Sequence, residues 1–394
     1  MTKKSYGFYG TLDVTGSSTF VSESIATVEK VITFEGTSRG ADNLQSIELD
    51  DKDVVEVELD HITLIMSVEE LKEYSKNGEV RSGVDDQPML PTSIQSHQGA
   101  TRGPVGVAIR VLRVLGVDVV GKAIEIAAHK VEGWLDDSGP GLYKVAKSGK
   151  LLQQGWPDDN KEVLLLIHGT ASATARAFGS ILPSADSDKT TLAGRESRWN
   201  ELYEKFDGRV YALEHRTLTE TPIANILMLL DTWPVDGGPD LVLLSHSRGG
   251  IVGDYLSCLY EWEQQPPELV AALDEHSSER KSLDKLDAML ASIPVNNRPR
   301  VLRHVRVGAP SAGTSLASKK THIWLSVLSG MAAGIPGIGA GASALGDIAA
   351  AVVKEGLEPG ALPGIDAQKN QSPFILSSQF YQSSHTELLS LIHI

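Results

Sequence analysis

Continuous runs of Val, Leu and Ile, each followed by a helical pattern, fill the second half of the chain from Lys161 onward. The runs are VLLLIHG, RVYALEH, LVLLSHS and VLRHVRVGAP. Strands that read as unbroken apolar runs are typical of parallel sheets with helices on both faces. We therefore predict an α/β domain with a mostly parallel sheet over residues 161–394. The Thr221-Pro222 pair marks the start of one of its helices.

The first hundred residues have a different pattern. Apolar and polar positions alternate there, as at Val55, Val57 and Leu59, which is typical of strands with one buried face. We expect a small β-rich N-terminal domain over residues 1–100, with a role and a protein partner that the sequence does not reveal. Residues 81–103 lack periodicity and are rich in polar residues, Pro and Gly, which indicates a linker.

Residues 101–160 are predicted to form a helical connector. Apolar residues recur at helical spacing between Pro104 and Trp134, with Arg110 and Arg113 among them. This pattern favours a helix packed on its own domain with its arginines reaching solvent. Contact with a membrane surface is the less favoured alternative.

Composition restricts the classes of partner and site. The chain has 394 residues, with 51 acidic and 36 basic ones, and a formal net charge of −15 disfavours binding to nucleic acid. The single cysteine, Cys258, excludes an intramolecular disulfide and a cysteine zinc site. We expect no metal or other cofactor, because neither an HExxH pattern nor a Gly-Lys-Ser/Thr phosphate loop occurs. The first residues have no signal-peptide pattern, so a cytoplasmic location is expected.

The sharpest motif is SHSRGG at 245–250, directly after an apolar strand and directly before a helical pattern. A nucleophile elbow requires this strand–turn–helix context, with small residues two positions before and after the central serine. Ser247 is therefore the candidate nucleophile. Ser245 replaces the usual first glycine and is still small enough for the turn to close.

A second motif, His168-Gly169-Thr170, ends the apolar run LLLI. An α/β protein with a nucleophile elbow supplies one oxyanion-hole amide from such a loop and the other from the residue after the nucleophile. We expect the amides of Thr170 and Arg248 to fill these roles.

IHGT, LEHRTLTETP, SHSRGG and VGAPSAGT, in this order, resemble the α/β-hydrolase superfamily, and in particular bacterial lipase-like proteins. The resemblance covers roughly Gly141 to Phe374. It implies a serine hydrolase with a Ser-Asp-His triad and no cofactor, acting on esters or lipids. It also assigns Ser247 as the nucleophile and the Thr170 and Arg248 amides as the oxyanion hole.

The remaining triad members are harder to place. In this fold the acid and the histidine follow the nucleophile on later strands. Residues 323–345 are uncharged and read as a helical lid over the site, and no later strand is evident. The sheet is therefore expected to be incomplete at its carboxyl end, with the acid and base beyond Ile394. Within the chain His385 is the candidate base, and Asp347 and Asp366 are the candidate acids.

Five residues are candidates for contacting the substrate: His168, Gly169, His246, Glu214 and His215. The pair Glu214-His215 follows a parallel strand, where α/β folds bind ligands. An internal ion pair of Glu214 with Arg216 or a neighbour, which would brace the elbow, is the alternative. The leading hypothesis is a lipase-like or carboxylesterase-like serine hydrolase for a small-molecule or lipid ester. A non-catalytic scaffold and an acyltransferase are the alternatives.

Overall fold

The structure is a computed structural model of the chain, and contacts within it divide the chain into two compact units. Unit 1 comprises Met1–Trp134 and Lys319–Ala361, and unit 2 comprises Leu135–Ser318 and Leu362–Ile394. The connector expected over 101–160 is thus split between the units, and a later segment joins unit 1. The described residues are 3–14, 16–18, 20–21, 25–34, 44–60, 62–75, 88–96, 105–117, 123–135, 138–157, 161–183, 198–275, 277–314, 321–322, 325–326, 329, 339–355, 362–380 and 384–391.

The elements are numbered in chain order. The strands are β1 (Lys4–Asp13), β2 (Ala26–Phe34), β3 (Leu44–Leu49), β4 (Val54–Glu58), β5 (Thr63–Ser67), β6 (Ser93–Ser96), β7 (Val105–Ala108), β8 (Val111–Val117), β9 (Gly141–Val145), β10 (Leu151–Leu152), β11 (Val163–Ile167), β12 (Val210–Glu214), β13 (Leu241–His246), β14 (Val301–Val307) and β15 (Glu387–Leu391). The helices are α1 (Val68–Ser75), α2 (Ala123–Leu135), α3 (Thr174–Ala177), α4 (Pro222–Leu230), α5 (Gly249–Cys258), α6 (Pro267–Ala272), α7 (Ser278–Ser292), α8 (Gly339–Glu355), α9 (Pro363–Asp366) and α10 (Pro373–Phe380). Residues 198–205 are helical as well.

Unit 1 is built on a six-stranded antiparallel sheet with the order β3-β1-β2-β8-β4-β5. Strands β6 and β7 pair separately as an antiparallel ribbon, so part of the predicted linker is a strand. The β-rich character expected of the first hundred residues is confirmed. Most of 81–103 lies outside the described residues.

The helix predicted from Pro104 onward is wrong for its first part, because residues 105–108 and 111–117 form β7 and β8. Strand β8 lies in the middle of the sheet, where its branched valines suit a pleated surface. Arg113 pairs with Glu56 at 2.7 Å and with Glu58 at 2.8 Å, both on the adjacent strand β4. Arg113 thus forms ion pairs between strands, and Arg110, just before β8, pairs with Asp60, just after β4, at 2.6 Å.

The predicted lid is also corrected. Helix α8, which contains the end of the 323–345 segment, belongs to unit 1 and contacts β2, β4, β5 and β8. Its residues 343–352 are buried, and Ser326 accepts a hydrogen bond from the Ile65 amide of β5 at 3.0 Å. The apolar sequence is explained by packing under the N-terminal sheet, since a helix that is apolar on all sides is a buried one. Residues 330–338 lie outside the described residues.

Unit 2 contains a seven-stranded sheet with the order β10-β9-β12-β11-β13-β14-β15. The five strands from β12 to β15 in this order are parallel, and β9 is antiparallel to β12. Alternate residues of β11 enter two different hydrophobic clusters: Leu165 and Ile167 enter one, Leu164 and Leu166 the other. Apolar side chains therefore cover both faces of the sheet, and the predicted mostly parallel α/β sheet is confirmed.

Strand β15 was not expected. Its residues pair in parallel with β14, from Arg303 beside Glu387 to Val307 beside Leu391. All five of its residues are exposed, and Glu387 and Ser390 interrupt its leucines, so its sequence is not an unbroken apolar run like that of the buried strand β11. Side chains add to the pairing, with an Arg303–Glu387 ion pair at 2.8 Å. The expectation that no strand follows the apolar segment 323–345 is therefore wrong.

Among the residues that the structure describes, no helix combines the length and the apolar character needed to cross a membrane.

Two helical glycines of unit 1 test the packing of α8. A Cβ atom at Gly346 in α8 would lie 1.8 Å from the Phe20 carbonyl oxygen, whereas one at Gly133 in α2 would meet no atom within 4 Å. We expect Gly346→Ala to lower the free energy of unfolding by about 1–3 kcal/mol through overpacking. Gly133→Ala should raise it by about 0.5–1 kcal/mol, the usual helix-propensity gain. Denaturant unfolding of the full chain measures both, and equal gains would contradict the described position of α8.

Candidate active site

The strand–turn–helix context predicted for Ser247 is confirmed. Strand β13 ends at His246 and helix α5 begins at Gly249, so Ser247 occupies the turn at the carboxyl edge of the sheet. Its φ is +51°, in the left-handed region that costs a residue with a side chain about 1–2 kcal/mol. The Ser247 amide donates to the Val307 carbonyl at 2.9 Å, which ties the turn to the end of β14. Strained backbone of this kind clusters at functional sites.

The glycine after the turn is required by space. A Cβ atom at Gly249 would lie 2.4 Å from the Ile167 carbonyl oxygen, and one at Gly250 would lie 2.4 Å from the Ala309 Cβ. Helix α5 thus starts in direct contact with the ends of β11 and β14. The small residues that the motif demands are explained by this close approach.

The structure brings the predicted oxyanion loop to the predicted nucleophile. A Cβ atom at Gly169 would lie 2.7 Å from the Ser247 Cβ and 3.3 Å from Nδ1 of His246, so this backbone packs directly against the serine. The Thr170 hydroxyl donates to Oε1 of Gln368 at 3.0 Å, which anchors the loop to the segment after α9. Ala171, the next residue of this loop, has a φ of +47°, so the loop contains a left-handed residue, as the turn at Ser247 does.

Arg248 has a role that sequence reasoning missed. Its guanidinium is fully buried and donates to Oδ1 of Asn225 at 2.8 Å, to the Glu220 carbonyl at 2.5 Å and to the Gly364 carbonyl at 3.2 Å. The side chain therefore holds the loop after β12 and the short helix α9 against the elbow. No local pattern signals this, because the three acceptors are far away in the chain.

Glu214 and His215 are internal residues in this structure. The Glu214 carboxylate is fully buried and accepts the Thr174 amide at 2.9 Å, and its other oxygen lies 3.4 Å from Nε2 of His168. His168 and His215 stack with ring centroids 4.1 Å apart, and the His215 amide donates to Nε2 of His168 at 3.2 Å. Burial thus favours the internal alternative for Glu214 over contact with a substrate. The side chain beside Glu214 is that of His168, whereas Arg216 pairs with Glu220.

Burial shifts the pKa values of two groups in this cluster toward their neutral forms. Burial raises the pKa of Glu214, and the hydrogen bond from Thr174 only partly opposes that shift. Burial lowers the pKa of His215 well below its usual range, and the charges of His168 and Arg248 act in the same direction. Burial therefore favours the neutral forms of the Glu214 carboxyl and the His215 imidazole beneath the His168–Thr170 loop.

His385 is wrong as the base for Ser247. It precedes β15, and β13, β14 and β15 run parallel, so it lies at the amino edge of the sheet. The register places Leu391 level with Val307, and His385 is six residues earlier, about 20 Å back along the strand. Its ring is half exposed and pairs with Glu261 at 3.1 Å.

The two candidate acids lie in different units. Asp347 is fully buried in α8 of unit 1, and Asp366 ends α9 of unit 2 and pairs with Lys369. Within the described ranges no group of three His, Cys, Asp or Glu side chains is arranged to hold a metal ion.

A family described as a domain of unknown function (DUF7379) matches residues 122–271, less than half of the chain. The matched range includes the His168–Thr170 loop and the turn at Ser247. No curated protein matches the chain. The fold and the site define the chain as an α/β protein with a strained serine at the carboxyl edge of its parallel sheet.

Removal of the buried guanidinium tests the Arg248 contacts. We expect Arg248→Ala to lower the free energy of unfolding by about 3 kcal/mol, because buried acceptors lose their donors. Arg300→Ala is the matched control, since Arg300 forms a half-exposed pair with Asp240 and should cost less than about 1 kcal/mol. Urea denaturation of the full chain measures both losses, and equal values would argue against the bracing role.

Glu214→Gln tests the neutral carboxyl. A buried acid with a raised pKa stabilises the fold at low pH, and that contribution is lost as the pH rises through the folded-state pKa. The free energy of unfolding of the variant, relative to that of the wild type, should therefore rise by on the order of 1 kcal/mol as the pH increases from about 5 to about 8. Urea denaturation at the two pH values provides the measurement. Glu204→Gln, which removes an exposed carboxylate, reports the effect of net charge alone, and a pH-independent difference for Glu214→Gln would refute the assignment.

Proposed function

We propose that this chain is a serine hydrolase with an α/β-hydrolase fold that cleaves an acyl ester through a Ser247 acyl-enzyme. The observation that carries the proposal is the left-handed Ser247 in the turn between β13 and α5, with the Gly169 backbone packed against its Cβ. The strand order, in which the antiparallel strand β9 adjoins a run of five parallel strands, is consistent with this fold. The resemblance of the motifs in the chain supports the same class.

In the proposed reaction the Ser247 hydroxyl oxygen attacks the acyl carbon and forms a new C–O bond. The hydroxyl proton passes to a base and then to the departing alkoxide as its C–O bond breaks. The amides of Thr170 and Arg248 donate to the oxyanion of the tetrahedral intermediate, and removing one such donor typically costs about 2.7–4 kcal/mol. Water then attacks the acyl-enzyme, which releases the acid and restores Ser247. An alcohol in place of water would give acyl transfer, which product analysis with added alcohols distinguishes.

A non-catalytic scaffold is the second candidate, and one observation favours it. No hydrogen bond joins the Ser247 hydroxyl to any other residue that the structure describes. Catalytic hydrogen bonds are often long before substrate binds, so this geometry does not remove the first candidate. Activity of the serine separates the two.

Labelling with a fluorophosphonate probe tests the proposal, because the probe reacts with an activated serine without knowledge of the substrate. The purified full chain should be labelled, and Ser247→Ala should lose the label completely. Ser311→Ala removes another serine hydroxyl of unit 2 and should leave labelling unchanged. A folded wild-type chain without label would support the scaffold.

The same assay locates the base. His246 adjoins the nucleophile, and His393 follows Leu391 by two residues in the chain and lies outside the described residues. His393 follows Ser247 in the chain, as the histidine of this fold does, and comes after the last residue of β15 that the structure describes. His393→Ala should reduce the labelling rate by about a hundredfold or more, the usual contribution of a general base. His385→Ala should leave the rate unchanged, because that residue lies at the opposite edge of the sheet.

A further inference from the structure

A serine, a histidine and an aspartate lie close together beneath the elbow. The Ser245 hydroxyl lies 2.8 Å from Nε2 of His304, and Nδ1 of His304 lies 3.4 Å from Oδ1 of Asp254. Ser245 and His304 are both fully buried in neighbouring strands. A substrate cannot reach this serine, so the set is not a second active site.

The imidazole of His304 is fixed against helix α5. A Cβ atom at Gly253 would lie 2.5 Å from both Cε1 and Nε2 of His304, so the ring occupies the space that a side chain would need. The next residue, Asp254, accepts two hydrogen bonds from Nη1 of Arg306, at 2.9 and 3.1 Å. Two side chains of β14 therefore hold the helix that begins two residues after Ser247.

The same imidazole also holds the strand before the turn. Ser245 is two residues before Ser247, at the position where the elbow motif has glycine. Its hydroxyl reaches His304, so β13 and α5, the two elements that flank the strained turn, are both fixed to one ring. A strained conformation persists only where its surroundings over-determine it.

We propose that Ser245 and His304 are positioning residues that, with Asp254, hold the Ser247 backbone in its left-handed conformation. This inference rests on the proposed function, because its consequence is the reactivity of Ser247. It also explains why serine stands at the first motif position: its hydroxyl makes a bond there that glycine cannot make.

The test compares Ser245→Ala with Ser257→Ala in the full chain. Ser257 is a buried serine of α5, and its hydroxyl donates to the Gly253 carbonyl at 2.7 Å. Its loss therefore removes one buried hydrogen bond away from the turn. Saturation kinetics of fluorophosphonate labelling separates probe binding from the chemical step. Ser245→Ala should slow the chemical step about tenfold or more with little change in binding, as misplaced reacting groups do. Ser257→Ala should change neither.

Amide hydrogen exchange over residues 247–252 gives a readout that does not need activity. It should accelerate about tenfold in Ser245→Ala relative to Ser257→Ala, because the start of α5 opens more readily. His304→Gln, which keeps a polar nitrogen near the position of Nε2, should retain more of both properties than His304→Leu. The comparison of His304→Gln with His304→Leu also tests the positioning role if Ser245→Ala does not fold.

The outcomes separate this inference from the proposed function. If Ser245→Ala matches Ser257→Ala in both labelling and exchange, or if His304→Gln is no better than His304→Leu, the positioning role is overturned. If the wild type is not labelled while exchange still accelerates in Ser245→Ala, the hydrolase proposal fails and the positioning role stands.

Discussion

The left-handed backbone of Ser247 is the constraint on which the arrangement of this sheet edge depends. A serine with a φ of +51° is unfavourable by itself, so neighbouring contacts must maintain it. The Val307 carbonyl holds its amide, and the Gly169 backbone packs on its Cβ. Helix α5 can start immediately after the turn only because Gly249 leaves room for the carbonyls that end β11. Three neighbouring strands, β11, β13 and β14, therefore meet at one residue.

The parts of the site that sequence predicted are those whose requirements are local. The turn at Ser247 needs small residues within two positions of its serine, and the His168–Thr170 loop comes directly after an apolar strand, so the sequence alone could place both. The Arg248 side chain and the Ser245–His304 contact could not be, because their partners are 23 to 116 residues away in the chain. His385 satisfied the chain-order rule. Only the bounds and direction of β15 show that it lies at the other edge.

The same distinction applies to the fold. The apolar runs of β11 to β14 identified the parallel sheet, because burial on both faces leaves a signal within each strand. Valines around β8 fit a helical spacing as well as a strand, and the Glu56 and Glu58 partners of Arg113 on the adjacent strand decide between them. The apolar sequence of helix α8 fits a lid over the site as well as a helix buried in unit 1. Which unit buries it depends on contacts with strands more than 200 residues earlier.

The two carboxyl groups on either side of the elbow, those of Glu214 and Asp254, lie in different electrostatic surroundings. Beneath the His168–Thr170 loop burial raises the pKa of Glu214 and favours its neutral form. On the side of β14 and α5 the Asp254 carboxylate is matched by Arg306 at 2.9 Å. An ionised Glu214 would oppose the negative charge that the proposed reaction develops beside Thr170, since charges interact strongly where water is excluded. In its neutral form the Glu214 carboxyl accepts the Thr174 amide without opposing the oxyanion that the proposed reaction would form.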